Sequence, residues 1–139
     1  MSNRSVINAI NAPAAIGVYS QAIRVENTVY LAGQIGLDPN TMSLVDGIDA
    51  QIDRVFENIR AVVEDAGGSF DEIVKITVYL TDLANYSKVD EAMKLRFFER
   101  YPARAVVGVA ALPRGALIEI DAIMELKRLS LGFGVESVG

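Results

Sequence analysis

An arginine and a glutamate in the C-terminal third of the chain offer the clearest chemistry in this sequence. Arg104 comes just before one apolar stretch, and Glu119 stands inside the next, after a turn at Pro113 and Gly115. A guanidinium can bind a carboxylate through two parallel hydrogen bonds, and a glutamate can accept a proton or orient a water molecule. The two residues therefore predict a site for a small carboxylate, with acid–base chemistry beside it.

The composition narrows this chemistry further. The 139 residues contain no histidine and no cysteine, which excludes a thiol nucleophile, a histidine-based triad and the usual zinc sites. No side chain titrates near pH 7 unless its surroundings shift its pKa. Acid–base work therefore falls to a carboxylate, a lysine, a tyrosine, the substrate or water.

Each candidate residue also has an ordinary structural explanation. Arg104 fits a surface arginine at the start of a strand, and Glu119 fits the solvated face of a strand. Tyr19 lies in a predicted loop, where its ring suits a subunit interface, and Gly33 suits a turn. The residue types alone leave the structural and the chemical roles open.

Length and composition predict one cytoplasmic domain that forms an oligomer. A chain of 139 residues is of ordinary single-domain size, the absence of cysteine fits a reducing compartment, and no signal peptide is expected. Although 51% of the residues are hydrophobic, the longest apolar run, residues 105–112, is too short for a membrane span. The surplus apolar surface predicts a subunit interface, and the net charge of −5 disfavours nucleic acid as a partner.

The pattern along the chain predicts the order β-β-α-β-α-β-β. Apolar residues at helical spacing before Gly67 and Gly68 predict one helix, and Ser87 and Asp90 have the spacing of a capping box for another. The predicted strands are 21–25, 28–32, 73–81, 105–111 and 117–126, and the predicted helices are 48–66 and 87–100. This order indicates an α+β fold with two helices on one face of a mixed or antiparallel sheet. Residues 1–126 are expected to form the domain and residues 127–139 a flexible tail.

Three segments together resemble the Rid family, also called the YjgF-type reactive-intermediate deaminases. They are residues 14–22 (AAIGVYSQA), 32–35 (AGQI) and 102–123, which begins with PAR and contains IEIDAI. The resemblance covers residues 8–126 and implies a chorismate-mutase-like fold that assembles as a homotrimer. It places a site in each cleft between subunits.

The resemblance also implies an activity and a set of roles. Rid proteins hydrolyse short-lived enamines and imines, such as 2-aminoacrylate and 2-iminopropionate, to 2-keto acids and ammonia, and they need no cofactor. Arg104 would hold the substrate carboxylate, and Glu119 would position or deprotonate the attacking water. Tyr19 of a neighbouring subunit would close the pocket, and the backbone of Gly33 would lie near the substrate.

Three positions in the expected substrate site depart from the family pattern. Ala32 stands where serine is common, Val106 where cysteine is common, and Asp90 where asparagine is common. The resemblance still places all three among the substrate-binding residues. An aspartate there would repel an anionic substrate or pair with Arg104.

Two other functions remain open at this point. One is a non-catalytic trimer that binds a small carboxylate or regulates a pathway through Arg104. The other is the ribonuclease or translation-inhibitor activity sometimes attached to this family. The acidic charge and the lack of histidine disfavour the second, because phosphodiester binding and cleavage call for basic and acid–base groups.

Overall fold

The computed structural model describes residues 3–127, so the predicted tail lies outside the described residues apart from Lys127. The regular elements are β1 (Arg4–Ile7), β2 (Ala22–Val25), β3 (Thr28–Gln34), α1 (Ile48–Asp65), β4 (Ile73–Leu80), α2 (Tyr86–Arg96), β5 (Ala103–Gly108) and β6 (Ile118–Glu125). Short 3-10 turns lie at Phe70–Glu72, Leu83–Asn85 and Pro113–Gly115. In this described part, neither helix has the length and apolar character needed to cross a membrane.

All six strands form one sheet in the order β1-β2-β3-β6-β4-β5. Neighbouring strands are antiparallel, except β4 and β5, which are parallel. The helices α1 and α2 contact each other and pack their buried sides into the core beneath one face of the sheet. This confirms the predicted α+β fold with two helices on one face of a mixed sheet.

The two strands around the Pro113 turn are consecutive in the chain but are not neighbours in the sheet. β4 lies between β5 and β6. The chain leaves β4 through α2 and returns as β5, which pairs in parallel with β4 on the side away from β6. β1 is an additional strand that the sequence pattern does not predict. Its four residues are mostly exposed, so no alternation of apolar and polar side chains reveals it.

The predicted boundaries of α1 agree with the structure, whereas the predicted boundaries of α2 differ from it. Gly67 follows α1 with a left-handed φ of 90°, as expected of a C-terminal glycine. The capping box predicted for Ser87 and Asp90 is wrong, because α2 begins before Ser87 and places both residues inside the helix. The helix ends before the predicted residue 100, because Phe97 adopts an extended backbone and buries its ring in the core.

Side chains alternate along the central strand β6. Ile118 and Ile120 are fully buried, whereas Glu119 and Asp121 project from the opposite face of the strand. The main helix residues packed into the same core are Ile52, Val55, Phe56, Ile59, Val62 and Val63. Burial of one face of β6 therefore fixes the side on which Glu119 lies.

Two buried amide side chains of α1 hold the loops near the start of β6. Asn58 donates a hydrogen bond to the carbonyl of Leu37 at 2.9 Å. Gln51 accepts one from the amide of Leu117 at 2.8 Å. Both bonds satisfy backbone groups that lie outside the strands and helices, so they fix the loops against the rigid part of the fold.

A third buried amide, Gln21, fixes the N-terminal segment. Its side-chain oxygen accepts from the amide of Ala9 at 2.6 Å, and its nitrogen donates to the carbonyl of Pro13 at 2.8 Å. Gln21 is 2% exposed, so water cannot replace it as a partner. The segment between Ala9 and β2 is therefore tied to the start of β2 by one side chain.

Replacing Gln21 with alanine is expected to lower the free energy of unfolding by about 2–3 kcal/mol, because it leaves buried backbone groups without a partner. Urea denaturation measures this change. Asn40→Ala, which removes an exposed amide side chain, is the matched control and should lower it by less than about 0.5 kcal/mol. Equal losses in the two variants would contradict the anchoring role of Gln21.

Candidate functional site

A cavity of about 410 Å³ opens where β3 ends and β6 begins. Four of the predicted site residues line it: Tyr19, Ala32, Gly33 and Glu119. The volume falls within the range of about 300–1,000 Å³ typical of small-molecule sites. The structure therefore brings the predicted acid–base residue, the tyrosine and the glycine into one cavity.

Glu119 is half-buried in this cavity. Burial raises the pKa of Glu119 above its ordinary value, and the charge of Asp121 raises it further. Asp121 itself accepts a hydrogen bond from the hydroxyl of Tyr79 at 3.1 Å, whereas the Glu119 carboxylate has no hydrogen-bond or ion-pair partner in residues 3–127. A carboxylate in this state is available to a substrate or a water molecule and can exchange a proton with it.

Gly33 makes room for that carboxylate. The pairing of β3 with β6 shifts between Leu31 and Gln34, so the backbone at Gly33 lies close to the side chain of Glu119. A β-carbon at position 33 would lie 2.9 Å from Cδ of Glu119. Any other residue would push the carboxylate away, which explains why the strand carries a glycine here.

Tyr19 lines the Glu119 cavity of its own chain. Gln21 positions it there, because its hydrogen bonds hold the segment before β2. The closing of a pocket by Tyr19 of a neighbouring subunit stays a prediction. The tyrosine side chain is 54% exposed, so it forms a wall of the cavity that also faces outwards.

Arg104 lies in a second cavity of about 330 Å³, together with Asp90, Met93 and Tyr101. Its guanidinium donates to the Asp90 carboxylate at 2.5 Å and to the Tyr86 hydroxyl at 2.7 Å. It also stacks on the Tyr86 ring, 4.9 Å from the ring centroid. The hydrogen bond to Asp90 is the largest cause that raises the pKa of Arg104. Arg104 is therefore a fixed cation whose orientation is set by α2.

Within one chain, Arg104 and Glu119 line two separate cavities, and their shared site between subunits stays a prediction. Arg104 is paired with the buried Ile76 in neighbouring strands, so it lies on the helix-covered face of the sheet. Glu119 alternates with buried isoleucines and lies on the uncovered face. Because side chains alternate between the two faces of a strand, Arg104 and Glu119 project from opposite faces of the sheet.

Three further residues lie in or near the two cavities: Val106, which was predicted, and Arg114 and Tyr86, which were not. Val106 shares the face of Arg104 and packs against the core, so it lines neither cavity. Arg114 was not predicted, yet it lines the Glu119 cavity from the Pro113 turn with a left-handed φ of 60°. Tyr86 was also not predicted. It precedes Asp90 by one helical turn, and this spacing places both residues on one face of α2. Among residues 3–127, no group of three acidic side chains is placed to hold a metal ion.

Comparison with known proteins identifies the family of this chain. The family model described as Endoribonuclease L-PSP matches residues 9–126. The chain is 45% identical over 121 residues to the 2-iminobutanoate/2-iminopropanoate deaminase of Mus musculus, which covers 86% of this chain and 90% of the mouse protein. It is 48% identical over 121 residues to a RutC family protein of Pyrococcus abyssi, with 86% and 95% covered.

Solved structures agree with the sequence comparison. RidA from an Antarctic Psychrobacter has a TM-score of 0.86 and 50% identity, and the match covers 88% of this chain and 99% of that one. The structure of E. coli TdcF with bound serine has a TM-score of 0.82 and 35% identity, with 87% and 98% covered. The protein is an enzyme built on this α+β fold. It belongs to the Rid (YjgF-type) family.

Glu119→Gln is expected to raise the melting temperature by a few degrees at pH 7. Because the folded protein holds the pKa of Glu119 above its ordinary value, the ionised form destabilises the fold as the pH rises through the folded pKa. The gain should disappear below about pH 4, where glutamate is protonated in both states. Differential scanning calorimetry across pH measures it, and a gain that stays constant with pH would contradict the assignment.

Proposed function

We propose that this protein is a cytoplasmic deaminase that hydrolyses 2-imino acids and their enamine tautomers to 2-oxo acids and ammonia. The observation that carries the proposal is the half-buried carboxylate of Glu119, which has no hydrogen-bond or ion-pair partner among residues 3–127 and lies in a cavity of small-molecule size. Support comes from the mouse and human 2-iminobutanoate/2-iminopropanoate deaminases, which are 45% and 43% identical to this chain. No cofactor is part of the proposal.

The reaction needs a positioned water and a positioned substrate. An imine carbon is already electrophilic, so Glu119 can take a proton from water as the oxygen attacks that carbon. Glu119 passes this proton to the nitrogen, which gives a carbinolamine. The hydroxyl proton of the carbinolamine then moves to the nitrogen through Glu119, and ammonia leaves as the C–N bond breaks and the C=O bond forms. An acid–base group of this kind contributes about 10²–10⁴-fold to the rate. Arg104 would bind the substrate carboxylate and hold the imine in place.

The same proposal includes a homotrimer whose active sites combine two copies. Arg104 and Glu119 lie on opposite faces of one sheet, so a substrate can touch both only if a second copy supplies one of them. The uncovered face of the sheet exposes apolar side chains, including Tyr30 at 50% and Val107 at 40%. Such a face is typical of a subunit interface. In this arrangement the Arg104 cavity of one copy would meet the Glu119 cavity of its neighbour.

A coupled assay tests the reaction. A serine/threonine dehydratase generates the imine, and 2-oxo acid formation is followed with and without this protein. Arg104→Ala and Glu119→Gln are each expected to lower kcat/KM by at least about 10²-fold. Lys127→Ala is the control, because Lys127 is exposed and lies outside both cavities. Undiminished activity in the Glu119 variant would contradict its role.

Mixing the two inactive variants tests the shared site. If each site combines Arg104 of one copy with Glu119 of another, every mixed trimer of Arg104→Ala and Glu119→Gln chains has one intact site of three, so the purified mixed trimers should regain about a third of the wild-type activity. A site contained in one chain would regain none. The two chains are co-expressed with different tags, and the mixed oligomers are purified by both tags before the assay.

The alternative functions make different predictions. The ribonuclease function needs a basic groove, but the groove beside α1 holds Arg54 and Arg60 together with Glu57, Glu64 and Asp65. That mixed charge does not favour a polyanion. A non-catalytic carboxylate-binding trimer would bind 2-oxo acids through Arg104 and leave the rate of imine hydrolysis unchanged.

A further inference from the structure

The guanidinium of Arg104 already has a carboxylate bound to it. Asp90 contacts Nη1 of Arg104 at 2.5 Å, and the Tyr86 hydroxyl contacts Nη2 at 2.7 Å. The Arg104 side chain is 22% exposed and that of Asp90 is 39% exposed, so part of the pair remains open to the cavity. The charge with which Arg104 would attract a substrate is therefore largely neutralised from within the chain.

The neighbouring side chains do not restore the positive charge that Arg104 would offer to a substrate. Lys94 lines the same cavity, but its ammonium is paired with Glu91 at 3.1 Å. Met93, which also contacts Arg104, has no charge. An incoming carboxylate must therefore share Arg104 with Asp90 or displace it, and in either case the two carboxylates repel each other at short range.

We propose that Asp90 is a specificity-determining residue of this site: its carboxylate competes with the substrate for Arg104 and selects monoanionic over dianionic 2-imino and 2-oxo acids. A substrate with one carboxylate is repelled by Asp90 only where that carboxylate binds the free edge of the Arg104 guanidinium. Within the Arg104 cavity, a substrate with a second carboxylate brings a further negative charge towards Asp90, and the other cation of this cavity, Lys94, is already paired with Glu91. This inference rests on the proposed function only in taking Arg104 as the carboxylate-binding group.

Asp90→Asn removes the negative charge of the side chain and keeps its shape. Asparagine has nearly the same size, and its carbonyl oxygen can still accept a hydrogen bond from Arg104. Asp49→Asn is the matched control, because it makes the same change at an exposed carboxylate whose partner, Lys88, lines neither cavity. Asp90→Ser is a second charge-removing variant, and the melting temperature of each variant shows that it is folded.

The primary measurement is the affinity of each variant for 2-oxobutanoate, a monoanion, and 2-oxoglutarate, a dianion, by titration calorimetry. Asp90→Asn and Asp90→Ser are expected to tighten binding of the monoanion by about 10-fold and of the dianion by about 100-fold. Asp49→Asn should change both by less than about twofold, because exposed charges are screened. Unchanged or weaker binding in both Asp90 variants, or equal tightening of the two anions, overturns the proposal.

The coupled assay adds a second readout. Competition for substrate predicts that Asp90→Asn lowers KM for 2-iminobutanoate and leaves kcat within about twofold, whereas a merely structural role would lower kcat. A protein that hydrolyses no imine in any variant would refute the proposed reaction. The affinity ratio between the two anions would still decide the role of Asp90, so the two failures are distinguishable.

Discussion

The burial of one face of β6 is the constraint on which the rest of this structure depends. β6 pairs with β3 on one side and β4 on the other, and Ile118 and Ile120 are completely enclosed beneath the helices. Because side chains alternate along a strand, Glu119 must then project from the other face. A shift of one residue would bury the carboxylate in the core and expose the isoleucines, so the hydrophobic effect itself holds the acid in place.

The second requirement is space and order around that carboxylate. The shifted pairing near Gly33 brings the β3 backbone to the side chain of Glu119. The loops that complete the cavity have no regular hydrogen bonding, and buried amides supply the partners. Gln21 and Asn58 each bind backbone carbonyls of these loops. Irregular segments thus become a fixed wall because rigid elements satisfy their polar groups.

The two cavities differ in the electrostatic surroundings of their charged residues as well as in their position on the sheet. Within the described part of the chain Glu119 has no hydrogen-bond or ion-pair partner, and desolvation shifts its pKa upwards. Arg104 has two polar partners and an aromatic ring beneath it. The acid is therefore prepared to exchange a proton, whereas the arginine is prepared as an oriented charge. This division suits a reaction in which one group moves a proton and the other positions an anion.

Local patterns in the sequence determined much of the fold. The spacing of apolar residues in α1, the glycine after it and the alternation in β6 follow from burial and backbone geometry over a few residues. The choice of Arg104, Glu119 and Gly33 followed from residue type and from the family resemblance. Only the tertiary structure decided that β4 lies between β5 and β6, that Tyr19 faces the glutamate of its own chain, and that Arg104 and Glu119 lie on opposite faces. These relations depend on strand order, parity and pairing between residues far apart in the chain, and such long-range contacts leave no periodic signal in the sequence.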